Sequence, residues 1–193
     1  MIINEKGLAR ALRLAYKRTG YTLMHGDDQV TVYTEDWYVR ADREKFPIKA
    51  MATIVEHMGG LPTSADALLI MNGDAPQVAM PEIVGSEVAA WVNGEKTKTV
   101  TMVPVIVRGL QLYQEEDGGA CYGVAMHALG IVERDVATHK DATAVEETRL
   151  EWRHDGEDVI IAAARPTAAY WAKDPEKEVW AALEGVDLHK REE

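Results

Sequence analysis

The chain has 193 residues, 47% apolar and 27% charged, which places it among globular proteins and excludes disorder over its whole length. Its formal net charge of −11 argues against a generic binder of nucleic-acid backbone, which needs cations to displace counterions. One cysteine, Cys121, excludes an internal disulfide framework and any multi-cysteine zinc or iron–sulfur site.

Asn4 is the expected N-cap of an amphipathic helix over 5–18. Leu8, Ala11, Leu12, Ala15 and Tyr16 recur at helical spacing there, with the basic residues largely between them. Gly20 closes this helix, and Gly7 in its first turn weakens it. The period then changes. Residues 21–25, 29–34 and 37–40 read as strands joined by turns too short for parallel crossovers, hence an antiparallel meander. A second helix starts at Asp42 or Phe46, with Pro47 suited to its first position and Ile48, Met51, Ala52, Val55 and Met58 as its apolar stripe. Gly59-Gly60 and then Pro62 stop it.

Residues 61–67 read as a loop and a boundary. Beyond it the pattern predicts a strand over 68–71 and a helix over 81–92 with Val84, Val88, Trp91 and Val92 inward. Strands over 99–107, 110–114 and 120–126 follow, and Pro104 marks the first as an edge or a bulge. Segment 129–147 has no clear period. Residues 149–153 and 158–164 form a hairpin around His154-Asp155-Gly156-Glu157. Asp174-Pro175 opens a last helix whose stripe is Val179, Trp180 and Leu183. The sum is an α+β fold, with antiparallel meander and hairpin sheets and helices packed on one face. It divides into two subdomains, 1–66 and 67–193.

The charge follows that division. Residues 1–66 hold nine Lys/Arg and nine Asp/Glu, whereas 67–193 hold twelve against 23. The opening helix carries Lys6, Arg10, Arg13, Lys17 and Arg18 against one acid, Glu5.

No stretch matches a P-loop or a Gly-x-Gly-x-x-Gly fingerprint, and Gly118-Gly119 follows three acids, the wrong charge for a phosphate cradle. Cys121 and His127 stand six residues apart, roughly 20 Å at strand rise, so the cysteine reads as a buried structural thiol. The histidines, His25, His57, His127, His139, His154 and His189, form no His-Glu-x-x-His arrangement. His25 with Asp27 and Asp28, or His154 with Asp155, are turns that solvent satisfies more often than a cation, so no metal and no cofactor are expected. In Trp37-Tyr38 and Tyr170-Trp171, extended neighbours point to opposite faces, so both members of a pair cannot be buried. An exposed ring among acids would be a protein-binding hot spot.

The run Ile2-Ile3-Asn4-Glu5, Leu8-Ala9-Arg10-Ala11, Ala15-Tyr16-Lys17, Gly20-Tyr21-Thr22, then Ile54-Val55-Glu56-His57-Met58-Gly59-Gly60-Leu61-Pro62, resembles small uncharacterised proteins carried by phages and mobile elements of gut Firmicutes. That motif is tied to no active site, so no functional residue carries over. Some acidic mobile-element proteins are anti-CRISPR inhibitors that occupy the basic groove of a Cas nuclease. What the resemblance implies is such a context in the cytoplasm of a bacterial host.

The leading expectation is a non-enzymatic, acidic, protein-binding inhibitor. Its carboxylates would replace phosphate on a basic protein surface such as a Cas effector. The contact residues would be Glu115, Glu116 and Asp117 at a hairpin tip, then Glu146, Glu147, Asp155, Glu157 and Asp158. One alternative is a small hydrolase or transferase with a carboxylate–histidine site between the halves, using His127 or His57. The other is a phage DNA-associated or structural protein whose first helix contacts phosphate through Lys6, Arg10, Arg13 and Lys17. The start shows no signal peptide, and the longest apolar stretch, 100–107, is too short to span a bilayer, so no membrane partner is expected.

Overall fold

The computed structural model describes residues 2–62, 67–116, 118–134, 141–146, 148–154, 158–166 and 177–189. Asn4 caps helix α1 (Glu5–Tyr16), its side chain accepting the Gly7 N–H at 2.7 Å. Leu8, Ala11, Leu12 and Ala15 turn into the core. β1 (Tyr21–His25), β2 (Gln29–Tyr33) and β3 (Trp37–Asp42) form the antiparallel meander.

A 3-10 turn over 43–45 leads into α2 (Ile48–Met58), which Gly59 ends at φ 72°, a left-handed conformation open to glycine. Pro47 takes the cap position rather than the first helical one. The apolar stripe of α2 differs in part from the expected one: Met51 and Met58 pack against the core. Ile48 is 82% exposed, and the buried residues are Ala50, Thr53 and Ile54. α2 lies against α1, where the small Ala50 and Thr53 permit a close approach. The Thr53 hydroxyl is satisfied by donating to the Lys49 carbonyl at 2.9 Å.

β4 (Ala67–Ile70) pairs with the free edge of β1, and β5 (Gln77–Val78) with β4. α3 (Pro81–Val92) follows, with Pro81 in its first turn. Val84 is buried, while Val92, expected inward, is exposed. The remaining strands are β6 (Lys96–Val107), β7 (Leu110–Glu115), β8 (Cys121–Ala125), β9 (Asp141–Val145), β10 (Arg149–His154) and β11 (Asp158–Pro166). A register shift between Met102 and Ile106 marks a bulge around Pro104. The one-turn helix α4 (Met126–Leu129) leaves β8, and α5 (Lys177–Glu184) comes last.

The eleven strands run in the order β10-β9-β6-β7-β8-β11-β3-β2-β1-β4-β5, and β10 also pairs with β11. Six strands therefore close into an antiparallel barrel, and five fan out from it. β11 belongs to both. One edge pairs with β10, and the other pairs first with β3 at 159–162 and then with β8 at 164–166. Closure leaves these strands no free edge along their paired length. Val100, Ala142, Ala144 and Leu150 are buried in the barrel, and the Tyr113 ring meets Trp152 edge-on at 5.8 Å.

The fold is α+β. One core cluster joins these barrel residues to Leu8, Leu12, Leu23, Val39 and Ile54, so the sheet and its core run across the 66/67 boundary of composition. α1 and α2 share one sheet face, while Trp91 of α3 stacks on Tyr38 from the other. This corrects the reading of Trp37-Tyr38. Both rings are buried, at 2% and 1% exposure, because both sheet faces are covered. Tyr170-Trp171, Asp174-Pro175 and the side chains of Val179 and Trp180 lie outside the described residues, as do 63–66 and 135–140.

Candidate anion-binding groove

Lys6, Arg10, Arg13 and Lys17 stand at offsets of four, three and four residues on and just past α1. At 3.6 residues per turn they fall within an arc of about 60° and span about 16 Å of helix axis. All four are exposed, and among the described residues none is ion-paired. They form one wall of a groove of about 820 Å³. Facing them are Gly109, Met126, His127, Gly130, Val132 and Arg134, with Asn4 between.

The backbone holds the two walls together. Asn4 N–H donates to the Ile131 carbonyl at 2.7 Å, Glu133 N–H donates to Ile2 at 2.6 Å, and Ile3 bridges Val132. At Gly7 the helix touches the opposite wall. A Cβ there would stand 1.7 Å from the Gly130 carbonyl oxygen, so only glycine permits this approach. Gly7 weakens an isolated helix, and this contact is what it provides.

Of the nearby acids, Glu5 is turned to α2, and Glu133 is bonded at the edge of the groove, to Asn4 and to the Arg134 N–H. Glu5 accepts from the Lys49 N–H at 3.0 Å and pairs with the Lys49 ammonium at 3.1 Å. The Lys49 backbone bond, then its side chain, hold the Glu5 carboxyl below its ordinary pKa. Glu133 accepts from the Asn4 amide at 2.9 Å. No Asp or Glu is among the described residues lining the groove. His127 stands at its margin with Nε2 3.4 Å from the Asp36 carboxylate.

The acidic contact set is differently placed. Asp158 is buried at 3% exposure, inside the β10–β11 pairing, and cannot present its carboxylate to a partner. Glu115 is largely buried and bonded to Lys98 at 2.6 Å. Glu146 is exposed and pairs with Arg149, and Glu116 is exposed. Asp117, Glu147, Asp155 and Glu157 lie outside the described residues.

The alternative chemistries are also placed. Cys121 is buried, and burial pushes its thiol up to about 12, with Glu184 adding to the shift. His57 stacks on Tyr16 at 3.9 Å and lies 3.1 Å from the Tyr21 hydroxyl, a contact between helices and sheet. Among the described residues no three His, Cys, Asp or Glu side chains converge on a metal-sized site, and no helix is long and apolar enough to cross a membrane. Sequence reasoning missed Arg134 and His127 as groove residues. Their signal was the pairing potential of Ile131-Val132 with Ile2-Ile3, hidden in a segment without period.

The chain matches no family model, no curated protein and no solved structure.

Proposed function

We propose that the chain is a binding protein that holds a nucleic-acid phosphate backbone in the groove along α1. The observation that carries this reading is the convergence of five exposed cations, Lys6, Arg10, Arg13, Lys17 and Arg134, on one groove whose described lining has no acid. Like charges three or four residues apart on a helix destabilise it by about 0.2–0.5 kcal/mol per pair, and three such pairs follow one another here. Stability gains nothing from that row, whereas a polyanion is complementary to it. The net charge of −11 is no obstacle, because at physiological salt charges beyond about 8 Å are largely screened. The inhibitor reading has less support, since Asp158 is buried and Glu115 is paired.

The test is anisotropy of a labelled single strand and a labelled duplex at low salt. The native chain is expected to bind, and the double reversal Arg10→Glu with Arg13→Glu to lose at least about tenfold, the scale of two lost phosphate contacts. Arg43→Glu, exposed and outside the groove, serves as the control. Equal loss in the control, or no binding by the native chain, would overturn the reading.

A further inference from the structure

A second concavity, of about 510 Å³, opens where α1 gives way to β1 and is walled by β1, β2 and α3. It shares no lining residue with the basic groove, but a smaller cleft connects the two. That cleft has Ala11, Leu14 and His127 in common with the groove, and Thr19 and Thr34 in common with the concavity. Exposed Arg18 lines the cleft and extends the row of cations past Lys17 toward the concavity. Asp36, also on the cleft, stands 3.4 Å from His127 Nε2.

The chemistry changes along this track. The groove is cationic, whereas the concavity holds Glu35 and Glu87, both exposed. Arg149 on its wall is buried and already paired with Glu146. Half-buried Trp91 gives the concavity an aromatic wall, held by stacking on Tyr38 with ring centroids 6.3 Å apart. Glu87 and Trp91 stand four residues apart on α3, hence on one face of it. One Glu87 oxygen accepts the Tyr33 hydroxyl at 2.9 Å, which fixes the carboxylate there. Carboxylates repel phosphate and accept from N–H donors, and an aromatic wall takes a flat ring. A ligand suited to both ends of the track has an anionic chain and a neutral ring that carries an amino group.

We propose, resting on the nucleic-acid reading of the groove, that this concavity takes an unpaired base of a single strand whose phosphates lie along α1. The base stacks against Trp91, and its exocyclic amino group donates to Glu87 or Glu35. Cytosine, adenine and guanine carry such a group. Thymine does not, and its carbonyl oxygens are repelled by the two carboxylates. A duplex keeps its bases stacked and paired, so it reaches the groove alone.

Anisotropy of labelled oligo-dC and oligo-dT, each of about eight nucleotides, tests this inference. Oligo-dC is expected to bind roughly tenfold tighter than oligo-dT, the size of one charged hydrogen bond. Glu35→Ala combined with Glu87→Ala, at two exposed positions, is expected to erase that preference. Carboxylates that acted by repulsion alone would instead, when removed, raise both affinities and leave their ratio unchanged. Trp91→Ala is expected to weaken both strands roughly tenfold, the size of one base stack, with duplex binding unchanged. Equal affinity of the two strands for the native chain, or a preference that survives the double substitution, would overturn the inference and leave the groove standing. If neither strand binds, the groove reading fails and the inference fails with it.

Discussion

At Gly7 a single methyl group would collide with the backbone of the facing turn, since the Gly130 oxygen is 1.7 Å from where its carbon would sit. Backbone cannot swing aside as a long side chain can, so Gly7→Ala is expected to cost about 1–3 kcal/mol, the range for overpacked interiors. Urea unfolding would show this as a lower midpoint at unchanged slope. His57 offers a second residue-scale test. Burial, only partly offset by Glu56, holds its pKa below the ordinary 6.5. Below pH 6.5 the unfolded chain therefore binds this proton more readily than the folded one. Its contribution is fully present above pH 6.5 and is lost as pH falls through the folded value. Stability is expected to decline over that window, and less steeply in His57→Gln. Equal pH dependence in both proteins would remove His57 from the account.

At the scale of elements, β11 decides the architecture. Its neighbours are β10, β3 and β8, and only the first is close in sequence. Local signals made α1, the meander, α3 and the β10–β11 hairpin legible, because caps, turns and periodicity act over a few residues. The pairing of β6 with β9, which completes the barrel, depends on contacts some forty residues apart and leaves no local mark. The α2 stripe held at Met51 and Met58, which pack against the core, and failed at Ile48 and Ala52 for a related reason. Ala50 and Thr53 are buried because α1 lies close, which hydrophobicity along α2 alone does not encode. Trp152 tests the closed barrel. It is 1% exposed and meets Tyr113 edge-on, so Trp152→Ala is expected to cost about 3–5 kcal/mol in chemical denaturation. A cost below about 1 kcal/mol, typical of surface substitutions, would contradict a filled barrel.

On the scale of the whole molecule, the chain carries −11 yet keeps a concentrated basic groove. Part of that site was legible, since the spacing of Lys6, Arg10, Arg13 and Lys17 sets them on one helical face. Its facing wall was not, because Arg134 arrives only through the pairing of residues 2–4 with 131–133. The salt dependence of duplex affinity tests the groove most directly. Each neutralised phosphate contributes about −0.9 to the slope of log K against log salt, so five engaged cations predict a slope near about −4.5. Substituting Arg10 and Arg13 by Ala should flatten it by about 2. Affinity independent of salt, or a slope unchanged by those substitutions, would contradict phosphate binding along α1.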